Sequence, residues 1–371
     1  MRRFALFLLI ALAGCRSVGQ QVDVTKLHVP AGFHIAIVAD TGSCGPRFMA
    51  WSPGGTLLAT CVDEGKVLAL PGAQSGSAQR VVTVLSDLSG PHGITFHNGK
   101  LYVAETNRLA AYDWDEKNVR ATNPQQVADL PASGGGHMTR TVLFHGGKLY
   151  VSAGSSCNVC RESDPRRAAV MEFNQDGSSM RIFARGLRNS VGLAVNPKTN
   201  TIWATDNGTD WLGDDLPPEE VNELRAGGNY GWPFCYGDKV PNTKFDRNAA
   251  EHCPATVAPK IKMQAHSAPL GLAFGVGPMF PPEYQNSLYV AFHGSWNRAV
   301  PTGYKVVRIP LDAHGEPAGP PRDFASGWIA PGETRKGKWM GRPVGVLFGA
   351  DGSLFISDDA SGHVYRVTFT R

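Results

Sequence analysis

The sequence predicts an all-β fold, a six-bladed β-propeller. Three observations carry this reading. One strand–turn–strand pattern recurs six times along the chain. Gly (43) and Pro (26) are abundant, yet together stay below the ~25–30% that marks low-complexity chains. The single helix-like stretch, Pro217 to Leu224, is too short to form a separate domain. A large β-sandwich is the alternative, but it would not repeat the same unit six times.

Length and charge narrow the class further. The 371 residues hold ample chain for a core. Charged residues make up 18%, below the usual ~25%, which argues against a charged tail or long coiled coil. A net charge of +4 without any Lys/Arg block argues against a nucleic-acid surface.

From the N-terminus, Met1-Arg2-Arg3 is a basic start followed by the apolar run Phe4 to Leu12. That run is too short to span a bilayer and reads as the apolar region of a secretory signal. Leu12-Ala13-Gly14-Cys15 resembles the lipobox of bacterial lipoproteins, in which the Cys is lipidated and becomes the new N-terminus. An ordinary signal peptide cleaved elsewhere is the other reading. The division is therefore a signal over 1–14, a lipidated linker over 15–29 and a propeller over 30–371. Export places the domain on the periplasmic side of a bacterial envelope, held to a membrane through Cys15.

Six further cysteines, Cys44, Cys61, Cys157, Cys160, Cys235 and Cys253, suit disulfides in an exported chain. Proximity along the chain favours 44–61, 157–160 and 235–253. Arg161 follows Cys160 where haem attachment needs a His, and no second ligand pair completes a zinc site.

The six repeats begin at Phe48, Gly93, Thr141, Gly192, Gly271 and Gly345. Each places a few alternating apolar residues before a turn and a second short strand, as in Thr141-Val142-Leu143-Phe144 and Lys148-Leu149-Tyr150-Val151. Asn98-Gly99, Gly146-Gly147 and Asp351-Gly352 supply tight turns. The intervals after repeats four and five are longest and imply inserted loops.

Polar residues at repeat entrances are the candidates for chemistry, because a propeller aims those positions at its axis. His137 and Arg140 precede repeat three, Arg188 and Asn189 repeat four, and Arg342 repeat six. His92 stands at repeat two, and His293 to Arg298 follows the second strand of repeat five. Convergent cations suit a ligand with several carboxylates. The acid-rich segment Thr205 to Glu220 offers hard oxygen ligands for Ca²⁺, or is simply an acidic loop. Dinucleotide, phosphate-loop, serine-hydrolase and zincin motifs are missing.

At GHMTRTVLFHGGKLYVSAGSSCNVC, GLRNSVGLAVNP, GDDLPPEEVNEL, GGNYGWPFCYGD, HGSWNR, TGYKVVRIPL and GRPVGVLFGADGSLFISDD, the sequence resembles the pyrroloquinoline quinone (PQQ)-dependent sugar dehydrogenases. The likeness is to their sorbosone and pyranose dehydrogenase branch and spans about residues 30–370. It implies a six-bladed propeller holding PQQ and Ca²⁺ over its channel. Matched by motif, His137 is the catalytic base, and Arg188 and Asn189 lie at the quinone. Arg342 and Arg298 clamp the PQQ carboxylates, with Lys305 a competing candidate. The carbonyls of Gly208 and Thr209 hold Ca²⁺. Thr209 replaces a Pro of the glucose-oxidising branch, and Ser155 replaces the acid beside its catalytic His, which argues against glucose as substrate. The resemblance implies a small sugar substrate and a separate electron acceptor such as a cytochrome or quinone. A Ca²⁺-dependent lactone hydrolase and a non-catalytic binding propeller are the rival readings.

Overall fold

The structure, a computed structural model, describes residues 22–132 and 135–370. Cys15, the signal and the linker up to residue 21 lie outside the described residues.

Among the described residues the strands form six antiparallel blades in chain order. Blade one is Pro46–Trp51, Leu57–Cys61, Lys66–Leu70 and Val82–Leu85; blade two is Gly93–His97, Lys100–Ala104, Arg108–Asp115 and Arg120–Asp129. Blade three is Arg140–His145, Lys148–Ala153, Ala169–Asn174 and Arg181–Arg185, with Gly228–Asn229 added in parallel at its edge. Blade four is Leu193–Val195, Ile202–Asp206, Glu219–Leu224 and Ile261–Met263; blade five is Pro269–Phe274, Ser287–Phe292, Lys305–Pro310 and Arg322–Ala325. Blade six takes Pro343–Phe348, Leu354–Asp358 and His363–Phe369 from the C-terminus and Phe33–Asp40 from the N-terminus. That exchange closes the ring. The fold is the six-bladed propeller that the repeat predicts.

The burial of each strand follows its place in the stack. The second strand of a blade is covered on both faces by neighbouring blades, so it tolerates a continuous apolar run. Leu57–Cys61, Leu354–Asp358 and Ser287–Phe292 are buried at every position. The outermost strand Arg120–Asp129 is mostly exposed and correspondingly polar.

The recurring small residue at the start of the repeat has a steric cause. A Cβ on Gly192 would lie 2.3 Å from the carbonyl oxygen of Leu270, and one on Gly271 would lie 2.7 Å from that of Val344. Gly93 and Gly345 press on the next blade's backbone in the same way. Hydroxyls then stitch blade to blade at this level. Thr60 Oγ1 donates to the carbonyl of His92 (2.8 Å), and Thr205 Oγ1 to that of Leu270 (2.8 Å). Thr141 and Ser357 do the same for Val191 and Arg47.

The helix-like expectation for Pro217–Leu224 fails. Glu219–Leu224 is the third strand of blade four, paired to Ile202–Asp206. Its partners on both sides override a local preference that looked helical. The three disulfides join Cys44 to Cys61, Cys157 to Cys160 and Cys235 to Cys253, the pairs that chain proximity favours.

Candidate active site

The loops that enter each blade's inner strand, and those joining its second and third strands, meet on one face. Contacts between these two sets of loops build the mouth. The opposite end of the axis is an apolar channel of about 490 Å³, lined from all six inner strands by residues such as Phe48, Ile94, Leu143 and Phe348. It offers little chemistry.

His137 stands at the mouth, half-buried, in front of blade three. Its Nδ1 lies 3.1 Å from both the carbonyl oxygen and Oγ of Ser155. A carbonyl can only accept, so Nδ1 carries the proton and Nε2 is left as the basic nitrogen. Desolvation, then the nearby Arg188 guanidinium, pushes the imidazole down to about 3. His137 is therefore neutral across the physiological range.

Two guanidiniums hold the His137 loop from below. Arg140 is fully buried and donates to the carbonyls of His137 (3.0 Å) and Thr139 (2.7 Å), while Arg167 donates to those of His137 (2.9 Å) and Gly154 (3.2 Å). Burial, then Arg167, pushes Arg140 down to about 9. Arg140 is thus a brace for this loop and presents nothing to the mouth. His92 is likewise no mouth residue: it is fully buried, edge-on to Phe48 at 4.3 Å.

Arg188 and Asn189 follow Gly186 and Leu187 on the approach to blade four. Arg188 is 5% exposed. Its Nε donates to the carbonyl of Asn158 (2.9 Å), and its Nη2 to Asn158 Oδ1 (2.9 Å) and Asp210 Oδ2 (2.7 Å). Nη1 donates to the carbonyl of Asn207 (3.2 Å), which leaves one N–H of the five for a ligand. The Cys157–Cys160 loop thereby orients Arg188 through Asn158. Gly154 allows His137 and Asn189 to approach: a Cβ there would stand 2.5 Å from Asn189 Oδ1 and 2.6 Å from His137 Cβ.

Beside Arg188, Glu219 Oε2 accepts from the Gly208 amide (2.8 Å). Among the described residues the carbonyls of Gly208 and Thr209 accept no hydrogen bond. Three buried carboxyls surround this loop. Burial pushes Glu219 up to about 8 and Glu220 up to about 7, and burial with the Glu220 charge raises Asp206 well above the carboxylate range. Such a surplus of buried acid next to open carbonyls fits a hard divalent cation. The acid-rich segment does not, however, form one cage. Asp206, Glu219 and Glu220 lie on strands, Asp210 is bonded to Arg188, and Asp214 and Asp215 reach Arg298. Among the described residues the only tight group of potential metal-ligating side chains is Cys157, Cys160 and Glu162, whose cysteines are already bonded to each other.

On the far side a cleft of about 490 Å³ runs from Thr139 to Arg342, lined also by Arg47, Trp339 and Asp359. Arg342 donates to the carbonyls of His293 (3.1 Å) and Gly294 (3.0 Å). Its Nη1 is uncommitted among the described residues, so it can take an anion. Trp339 and Tyr304 lie 5.6 and 5.9 Å from its guanidinium carbon. Asp359 pairs with Arg47 and accepts from His293 Nε2 at 2.8 Å. Burial pushes His293 down to about 4 although Asp359 opposes it. Asp63 and Glu64 line the same cleft, which confines its positive character to the Arg47–Arg342 wall.

Two expected clamp residues sit elsewhere. Arg298 spends its guanidinium on the Asp214 carbonyl and on Asp215 (3.0 Å), latching one rim loop to another. Lys305 is drawn to Asp323 (2.6 Å) on the outermost strand of its blade, away from the axis. Arg47 was missed and takes the position beside Arg342. Its signal was present, since it immediately precedes repeat one as Arg140 precedes repeat three.

Comparison with known proteins gives the lineage. The family model described as TrAA12-like matches residues 27–370. An uncharacterised protein of Borreliella burgdorferi is 28% identical, covering 99% of this chain and 97% of its own length. A pyrroloquinoline quinone-dependent pyranose dehydrogenase of Coprinopsis cinerea is 28% identical over 92% of this chain, which spans only 54% of that longer relative. The holo structure of the pyranose dehydrogenase PQQ domain from Coprinopsis cinerea superposes with a TM-score of 0.80 at 26% identity, covering 92% of this chain and 97% of that one.

Proposed function

The chain belongs to the TrAA12-like family, and on that premise we propose that it is a PQQ- and Ca²⁺-dependent sugar dehydrogenase of a bacterial envelope. The observation that carries the proposal is His137 itself. It is a neutral imidazole with Nδ1 fixed on Ser155 and Nε2 free, at a mouth whose walls offer an uncommitted Arg342 donor and open Gly208 and Thr209 carbonyls.

When bound, PQQ supplies an electrophilic quinone that takes up a hydride, and Ca²⁺ polarises it. This chain's residues do the rest. Nε2 of His137 accepts the proton of a substrate hydroxyl, and the Ser155 carbonyl holds the ring in the tautomer that allows it. The remaining N–H of Arg188 stabilises negative charge developing beside it. Arg342 would receive a carboxylate through its uncommitted Nη1, with the Arg47–Asp359 pair beside it, and Gly208 and Thr209 would offer the cation their carbonyls. With Arg298, Lys305 and Arg47 each paired to an acid, Arg342 is the clamp's uncommitted donor. Electrons leave to a separate acceptor, and lipidation at Cys15 holds the domain to the membrane.

Adding PQQ and Ca²⁺ to the purified protein tests the reading. A bound-cofactor absorbance bleached by a sugar is expected, and Arg342→Ala should weaken PQQ by about 30-fold or more, as losing one partner of a buried charged pair costs ~2–5 kcal/mol. Lactone hydrolysis without PQQ would replace it with the hydrolase reading. Absence of any PQQ binding would leave a non-catalytic propeller.

A further inference from the structure

We propose that Trp211 and Trp296 form a stacking platform at the rim of the mouth that binds a pyranose ring of the substrate. This inference rests on the dehydrogenase reading and concerns how the sugar is held. The two indoles are among the most exposed large apolar side chains of the described residues, at 65% and 57%. They touch each other edge to face, with ring centroids 5.1 Å apart and planes at 87°. An exposed aromatic pair costs solubility and is kept where a ligand covers it.

The backbone supports a functional role. Trp211 has φ +70, a left-handed conformation that bulky residues rarely adopt. The structure tolerates it because the flanking residues are pinned. Asp210 is bonded to Arg188, and Asn297 Nδ2 donates to Asp210 Oδ1 at 2.8 Å. Arg298 then latches the same two loops through Asp214 and Asp215. The platform is thus tied to Arg188, and Arg188 to His137 through Ser155, whose amide donates to the Arg188 carbonyl at 2.7 Å.

The local chemistry selects among occupants. A pyranose has an apolar C–H face for an indole and hydroxyls at its edge for carboxylates. Asp214 and Asp215 follow Trp211 in the same loop and bond the Trp296 loop at Arg298 and Ala299, Asp215 with 86% of its side chain exposed. Those acids favour hydroxyl donors and disfavour an anionic membrane surface. Arg298 therefore acts here as a positioning residue for the sugar platform.

Trp211→Ala, Trp296→Ala and the double variant, loaded with PQQ and Ca²⁺, provide the test, with the pyranoses D-galactose and D-xylose as probes. The expected result is a KM raised about tenfold or more, kcat within about twofold, and an unchanged bound-cofactor spectrum. Trp296→Phe should restore most of the affinity. Independently of turnover, either sugar should change tryptophan fluorescence in the wild type but not in the double variant. If the wild type turns over both sugars while KM and fluorescence are indifferent to the substitutions, the platform is wrong and the dehydrogenase stands. If fluorescence responds to sugar through this pair but no sugar bleaches the cofactor, the platform stands and the dehydrogenase falls. Slower reoxidation with unchanged KM would mark the pair as a docking point for the electron acceptor and overturn the proposal.

Discussion

His137 shows how much of a side chain's chemistry is set by its immediate partners. An ordinary imidazole changes charge near pH 6.5, whereas this one is held down to about 3 by desolvation and by Arg188. Because the base must be neutral, the rising limb of the rate profile lies near pH 3. Reduction of the bound cofactor by sugar should therefore show no base-linked inflection between pH 5 and 8. His137→Ala should lower that plateau ~10²–10⁴-fold while keeping the bound-cofactor spectrum. An inflection near pH 6.5 in the wild type, absent from the variant, would show that His137 titrates normally and that its environment is misread. The same shift works against stability in acid. A group whose folded value is depressed favours folding above its unfolded value, and that contribution fades as pH falls from about 6.5 towards 3. His92 and His293, equal suspects by motif, are separated from His137 only by burial and by Asp359.

At the scale of the element, the glycine that opens most repeats is a packing requirement. Inner strands converge on the axis, and the next blade's backbone occupies the space of a side chain. Gly271→Ala places a methyl 2.7 Å from the Val344 oxygen and 3.0 Å from Gly345, both main-chain atoms that cannot swing aside. Overpacking of this kind costs ~1–3 kcal/mol. The midpoint of urea unfolding should fall accordingly with its slope unchanged. An unaltered midpoint would mean that the blades can spread without cost. Thr141 fills the equivalent position in blade three and Phe48 in blade one, so the rule belongs to the spacing between particular blades.

The whole molecule depends on one N-terminal strand. Phe33–Asp40 completes blade six by pairing with His363–Phe369, and Phe33 lies in an aromatic cluster with Phe280, Tyr284, Phe324 and Phe369. Without it the last blade keeps an open edge and the ring is closed by packing alone. Phe33→Ala should cost ~3–5 kcal/mol. Near- and far-ultraviolet circular dichroism should report that loss as one transition if the closure governs the entire ring. Separate transitions would show that blade six frays alone while the mouth persists. Since Arg342 and Asp359 stand at the entrance and second turn of that blade, fraying should also weaken PQQ.

By itself the sequence determined the class and the number of blades, and chain proximity favoured the disulfide pairs that the structure joins. A period repeated six times, with turns and alternating apolar positions, leaves few ways to bury both faces of every sheet. It also nominated repeat-entrance residues for the axis, His137, Arg188, Asn189 and Arg342 together with His92 and Arg140, of which the last two are fully buried. The motifs of the first four carried the family resemblance as well. The tertiary structure decided what each does there. Arg140 and Arg47 precede inner strands alike, yet one is buried among carbonyls and the other meets Asp359. Arg298 and Lys305 read as clamp residues until Asp215 and Asp323 were found beside them. The strand Glu219–Leu224 looked helical because its pairing partners lie in other segments. The Trp211–Trp296 contact joins two loops of different blades, and no local pattern records it. Periodicity is a local property that one chain displays along its length, whereas charge pairing and desolvation are relations between distant segments that exist only after the ring has closed.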